Sequence, residues 1–170
     1  SKGASVIPFC VRQGEVCFLF HKTFSGRRAG CLVDYGGGCS SGESYQQTAV
    51  REFIEETETM YFASDLRDAW RSDSRVETRV PLVTGLFDKT LGQHPDWYCT
   101  RMPADGGNIR DWRTFFVEFE FRDLSAINRQ WQLDPDKRFR KRRELLWVPA
   151  EELLKIYRKS PARLWKRLRE

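Results

Sequence analysis

The stretch GGGCSSGESYQQTAVREFIEETET, from Gly36 to Thr59, decides how the rest of the chain is read. It holds a glycine run, a lone glutamate, and then a segment of helical periodicity. At about 100° per residue, Glu52, Glu55 and Glu56 fall together on one side of that helix. Val50, Phe53, Ile54, Thr57 and Tyr61 fall on the opposite side, where a core would be. Ser44 followed by Gln47 predicts a capping box at the helix start. Carboxylates at i,i+3 and i,i+4 repel one another, so a cation is expected to offset them. Hard divalent ions with oxygen ligands suit the place, Mg²⁺ above all. The plainer reading is a solvated acidic surface.

Spacing over the whole stretch tells against the plainer reading. Gly37, five residues, Glu43, seven residues, then Arg51-Glu52-Phe53-x-Glu55-Glu56 resembles the Nudix box, G-x5-E-x7-R-E-U-x-E-E, with U bulky and apolar. Two positions depart from the family pattern. Glu58 stands where glycine is usual, and Tyr35 where many members have proline. The first should alter how the helix ends and the second how the turn enters it, and neither removes a metal ligand. Toward the C-terminus, ELLWVPAEEL resembles the W-x-P-x-E-E-L ending of many members, so the resemblance runs over roughly residues 4–154.

The resemblance implies an α/β fold, a Nudix-type α/β/α sandwich with a mixed central sheet, here followed by a basic C-terminal helical extension over residues 155–170. It also implies hydrolysis of a nucleoside diphosphate linked to another moiety, by water attack on phosphorus with Mg²⁺ or Mn²⁺. By position, Glu52, Glu55 and Glu56 would be the metal ligands, joined by the carbonyl of Gly37. Arg51 would orient the glutamates, and Glu43 would close the loop onto the helix. Some members use a later glutamate as ligand or base, for which Glu118, Glu120 and Glu144 are the candidates; the strong strand favours Glu118 or Glu120, and the plainer reading of each is a surface carboxylate.

Length and composition set the outer bounds. With 170 residues, 14% aromatic and 40% hydrophobic, the chain suits one globular domain. It has no apolar run of about 18 residues, so no membrane span is expected. Five cysteines, an odd number without CxxC, and two distant histidines argue against zinc and for a reducing intracellular compartment. Net charge is 29 − 24 = +5, unevenly spread. Residues 137–170 carry 13 basic and 4 acidic side chains, +9, which leaves 16 and 20, or −4, for the remainder. That asymmetry points to a polyanionic partner.

In chain order, residues 4–11 and 15–22 read as paired strands, the second apolar on both faces. Residues 23–30 read as a loop in which Arg27 and Arg28 either touch phosphate or face solvent. Residues 31–35 read as a short strand and 76–88 (with VPLVTGLF) as another, Gly85 marking a bulge or close approach. From Lys89 to Arg113 the pattern is irregular, and its tryptophans and tyrosine either stack on bases or cover a core edge. TFFVEFEF, 114–121, is the clearest strand, and 121–136 reads as connector with Trp131 packing. A last strand covers 144–149, then a helix 150–159 and, after Pro161, a second basic amphipathic helix. Its stripe of Leu164, Trp165 and Leu168 packs on its own domain by default, or docks a protein.

The basic run of Lys137, Arg138, Arg140, Lys141, Arg142 and Arg143 favours a substrate longer than a free nucleotide, since each neutralised phosphate adds affinity. RNA with a 5′-triphosphate fits, giving pyrophosphate and a 5′-monophosphate. The DYGGGC turn and the basic tail are similar to those of a mitochondrial, mRNA-stabilising branch of the family. That similarity implies the organelle and a helical-repeat RNA-binding partner. Two other readings stay open: hydrolysis of a small substrate such as ADP-ribose, a dinucleotide or a cap, and a catalytically silent module that binds RNA or protein.

Overall fold

The computed structural model describes residues 2–63, 65–70, 75–101, 111–133 and 143–169. Strand β1 spans Lys2–Arg12 and β2 Glu15–Thr23, joined at Gln13 and Gly14, both with positive φ. The short β3, Tyr35–Gly38, precedes helix α1, Tyr45–Glu56. Then come α2, Leu66–Trp70, and α3, Arg75–Gln93, followed by β4, Tyr98–Arg101, and β5, Asp111–Glu118. Helix α4, Ser125–Gln132, strand β6, Arg143–Pro149, and helix α5, Ala150–Lys159, complete the described elements.

One mixed sheet runs β4-β5-β1-β2-β6, with β1 and β5 parallel and the other pairs antiparallel. Along one edge β1 divides its partners. Gly3 to Val6 pair with β3, and Phe9 to Arg12 pair with β2. The sheet therefore opens where β2 and β3 part, and the C-terminal end of α1 lies beside that opening. Period-2 alternation sends neighbouring side chains to opposite faces. Leu19, Phe115, Val117 and Leu145 join α1, α3 and α4 in the larger core, while Ile7, Phe20 and Val148 pack with Ile156 of α5 and Leu164 in the smaller one. The expected α/β/α sandwich is present, and β2 is covered on both faces.

Four elements differ from expectation. Residues 76–88 are helix, not strand, and belong to α3. Their β-branched residues suggest a strand, but Val76, Val80, Val83 and Phe87 face the core at spacings of four, three and four, which is a helical stripe. Pro81 sits inside this helix on its exposed side, and a methyl at Gly85 would meet nothing within 4 Å, so no bulge or close approach exists there. Residues 125–132 form α4 instead of connector, around a fully buried Trp131. The glycines of 36–38 are strand, and the turn comes after them at Ser40–Glu43.

The fourth difference is the C-terminal tail. The expected helix is replaced by two short 3₁₀ turns, Pro161–Arg163 and Lys166–Arg169. Between them the backbone is extended at Leu164, so that Leu32 N–H donates to Arg163 O and Trp165 N–H donates to Leu32 O. Those bonds replace a helical ladder, and Leu164 is buried in the smaller core as packing on its own domain requires. Within the stretch expected to be irregular, β4 pairs with β5, Trp112 is buried, and Trp97 packs on Phe9 and stacks on His94. No helix among the described residues is long and apolar enough to cross a membrane, and all five cysteines are free thiols.

Candidate active site

Helix α1 is held from both ends. The Ser44 hydroxyl accepts from Gln47 N–H, and the Gln47 side chain accepts from Ser44 N–H, completing the capping box the sequence predicts. Phe53 anchors the apolar face edge-on against Tyr35 and Phe119, at 4.8 and 5.0 Å between ring centres. The helix lies so close to β3 that a methyl at Gly37 would stand 2.3 Å from Glu52 Oε1. At Gly36 it would stand 2.4 Å from Ser5 Cβ. Gly37 is what allows the acidic face to rest on the sheet edge, and Gly36 is what allows β3 to pair so closely with β1.

Arg51 is the hub of the N-terminal half of this face. Its Nε and Nη2 donate to the two Glu43 oxygens at 2.8 and 2.9 Å, and Nη2 also reaches Gly38 O. Its Nη1 donates to Glu52 and Glu55, both at 3.0 Å. The Arg51 guanidinium, with Ser40 N–H and Thr48, holds the Glu43 carboxyl down to about 2 despite partial burial. Glu43 thus ties Ser40 of the loop to Thr48 and Arg51 of the helix.

Glu56 lives in a different environment. It is 8% exposed, on the buried rather than the solvated side of the helix. Its Oε1 accepts from Gly36 N–H at 2.7 Å, and its Oε2 lies 3.4 Å from His21 Nε2 and 3.7 Å from Arg143 Nη1. Arg143 also donates to the Glu56 backbone carbonyl, capping the negative end of the helix. Burial pushes the Glu56 carboxyl up to about 8, against the pull of Arg143 and Gly36 N–H. Glu52 is raised in the same direction, first by burial, with Arg51 opposing and Glu55 adding to the rise, and it lies within hydrogen-bonding reach of Glu56.

Two crowded carboxylates that both resist ionisation fit a divalent cation in donor chemistry, since oxygen ligands and like charge are what such an ion neutralises. In the present side-chain arrangement no three histidine, cysteine or carboxylate groups among the described residues converge tightly enough to hold an ion. The reason is visible: Arg51 draws Glu52 and Glu55 to one guanidinium nitrogen while Glu56 turns toward Gly36.

Of the later acids, Glu118 and Glu120 are exposed at the end of β5, and Glu144 is paired in register with Lys22. Among the described residues no hydrogen bond or ion pair brings any of them to α1. Arg27 is exposed, whereas Arg28 is half-buried with its guanidinium 4.9 Å from the Trp165 ring centre. Arg143, expected on a basic surface, is turned inward to Glu56. Lys137, Arg138, Arg140, Lys141 and Arg142 lie outside the described residues.

The sequence reading missed three contributors. His21 shares the inward face of β2 with Leu19, which period-2 alternation makes legible. Asp34 is fully buried between Val33 and Tyr35, and Arg167 grips it with contacts of 2.6, 3.0 and 3.1 Å. A charge flanked by apolar strand residues is the available signal, but its partner lies 133 residues away. Arg167 also sits 4.2 Å from the Trp112 ring centre. Tyr35, at the position where many Nudix proteins have proline, fills the space between His21 and Phe53, and its buried hydroxyl has no hydrogen-bond partner among the described residues.

No family model matches the sequence, and no curated protein does. Solved structures match in shape. A C. elegans Ap4A hydrolase superposes with a TM-score of 0.51 and 15% identity over 95% of this chain and 89% of that one. The binary complex of the same hydrolase gives 0.50 with the same identity and shares. A Nudix hydrolase from M. smegmatis, RenU, gives 0.44 at 14% identity over 91% of this chain and 74% of that one. The fold is therefore the one found in Ap4A hydrolase.

Proposed function

We propose that this chain is a divalent-metal-dependent Nudix pyrophosphohydrolase that cleaves the polyphosphate at the 5′ end of RNA, releasing pyrophosphate and leaving a 5′-monophosphate. The observation that carries the hydrolase reading is the meeting of Glu52 and Glu56 at the opening of the sheet, both raised by burial and held against a glycine strand. A binding-only module gains nothing from such a repulsive pair. The fold and the spacing of the box support the same reading. The +9 balance of residues 137–170 supports a polyanionic substrate longer than a nucleotide.

Bound at Glu52, Glu55 and Glu56, Mg²⁺ or Mn²⁺ supplies charge neutralisation at the phosphate oxygens and a more acidic water. The chain's own residues do the positioning. Arg51 fixes Glu52 and Glu55, Glu43 fixes Arg51, and Gly36 N–H with Arg143 fixes Glu56. Mitochondrial placement and a helical-repeat partner belong to this reading as well and come from resemblance alone. The shape of Ap4A hydrolase favours a second reading, hydrolysis of a dinucleoside polyphosphate.

The deciding experiment uses RNA labelled on its 5′ γ- and α-phosphates, incubated with Mg²⁺ or Mn²⁺ beside Glu56→Gln. The expected outcome is pyrophosphate and 5′-monophosphate RNA, with at least about a hundredfold loss of rate in the variant. Intact RNA together with cleaved dinucleoside polyphosphate selects the second reading. Inertness on both makes the chain a binding module.

A further inference from the structure

Three arginines from distant parts of the chain gather around Glu56 and Asp34. Arg143 opens β6 in register with Thr23, whose other neighbour is Ala29, and the loop ending there carries Arg28. The C-terminal tail, bridged to Leu32, brings Arg167 and Trp165 to the same place. After burial, the charges that Arg28 feels most are Arg167, Glu56, Asp34 and Arg143, in that order. Arg167 is taken by Asp34, and Arg143 by Glu56. The Arg28 guanidinium makes no hydrogen bond or ion pair with any described residue and lies over the ring of Trp165.

Three guanidiniums face two carboxyl groups, so at least one half-buried cation is left over. A guanidinium does not shed its proton, so it cannot relieve the imbalance by neutralising. Stacking on Trp165 compensates partly and has a geometric effect. A guanidinium lying on an indole face keeps its N–H donors in its own plane, directed away from the ring. Lys166 adds a second cation 5.5 Å from the same ring, and Trp165 itself is part-exposed. The arrangement is a donor fork seated over an aromatic ring, with excess positive charge and solvent access.

We propose that Arg28, oriented by Trp165, is a phosphate-binding subsite that grips a phosphate of the polyphosphate chain beside the one cleaved at the α1 carboxylates. The proposal rests on the hydrolase reading for its place in catalysis, but its binding chemistry stands without turnover. Arg–phosphate pairs are bidentate and charge-assisted, which suits a fork better than the single charge of a lysine. Terminal polyphosphate and the phosphates of a nucleotide present the same chemistry.

The test is calorimetric titration of the whole chain in EDTA with inorganic tripolyphosphate and, separately, with a nucleoside triphosphate. Arg28→Gln is expected to weaken both by about tenfold or more, with partial recovery in Arg28→Lys. Arg158→Gln, on the exposed side of α5, controls for lost charge and should bind as wild type does. Stronger binding of the nucleotide, lost equally in Arg28→Gln, assigns the subsite to nucleotide phosphates, whereas equal binding assigns it to the polyphosphate alone. Wild-type protein that binds neither, or an Arg28→Gln variant that binds both unchanged, overturns the proposal. Glu56→Gln separates the two readings, because it should abolish hydrolysis while tripolyphosphate binding in that background should still be lost on adding Arg28→Gln. A wild type that binds through Arg28 but hydrolyses nothing sinks the hydrolase reading and keeps the subsite.

Discussion

Two ion networks meet at the acidic face of α1, and they carry opposite surplus charge. Around Arg51 one guanidinium serves Glu43, Glu52 and Glu55, a balance of 1 − 3 = −2. Around Glu56 and Asp34, Arg28, Arg143 and Arg167 give 3 − 2 = +1 with both carboxyls ionised, and +2 while Glu56 holds its proton. The first is partly open to water, with the Glu55 side chain 46% exposed, and the second is mostly buried, Asp34 completely so. A site short of cations beside a site short of anions is what a metal-bound polyphosphate would complete on both sides. The difference also separates cost from use: the exposed network tolerates imbalance through solvent, and the buried one does not.

Breaking the buried network should have the largest effect. Arg167→Ala leaves Asp34 charged and alone in the interior, and about 3–5 kcal/mol of stability should be lost in denaturant unfolding. Adding Asp34→Asn should restore part of it, and no recovery in the double variant would show that the pair matters only for packing.

The pH dependence of the metal-free protein sharpens the comparison next. Glu56 has its folded value raised to about 8 from the ordinary 4.5, so the folded state holds a proton that the unfolded chain releases. That contribution is complete below the unfolded value and is lost as pH rises through about 8, at up to about 1.4 kcal/mol per pH unit. Saturating Mg²⁺ should flatten or reverse the slope. Thermal unfolding between pH 5 and 9, with and without the ion, measures it, and an unchanged slope would remove the ion from this pair.

The exposed network should yield less. Glu43→Gln should lower stability by about 2 kcal/mol, read from denaturant midpoints at neutral pH. Because the Glu43 carboxyl is held down to about 2, its contribution is present above the ordinary value of 4.5 and fades as pH falls toward 2. The smallest effect belongs to Glu58, which takes φ of 51°, a left-handed backbone. Glu58→Gly should raise stability by up to about 1 kcal/mol, visible as a higher Tm.

The same contrast explains what the sequence reveals. The Arg51 network is local: Glu43, Arg51, Glu52 and Glu55 lie within one loop and one helix, so spacing and period place them together. The capping box is local for the same reason, and β1, β2, β6 and α5 follow from short-range patterns. The Glu56 network draws on His21, Asp34, Arg143 and Arg167, which only the folded sheet brings together. Helix α3 misleads because valine and threonine favour strands while its four-three-four burial stripe needs a longer window to see. The tail misleads in the opposite sense. Leu164, Trp165 and Leu168 fit an amphipathic helix, but the bonds to Leu32 win over the helical ladder.

The tail is fastened by two backbone hydrogen bonds, a Cys31 thiol bond to Ala162 O, the packing of Leu164 and Leu168, and one guanidinium, whereas β1 and β2 sit in continuous ladders. So small a unit opens at lower free energy than the whole domain. Each opening withdraws Arg167 from Asp34 and Trp165 from Arg28 in a single event. Amide exchange at Leu32 and Trp165 should therefore run in step and faster than in the strands beside them. A phosphate gripped by Arg28 would slow both amides together, making the lifetime of the closed tail a direct report of occupancy.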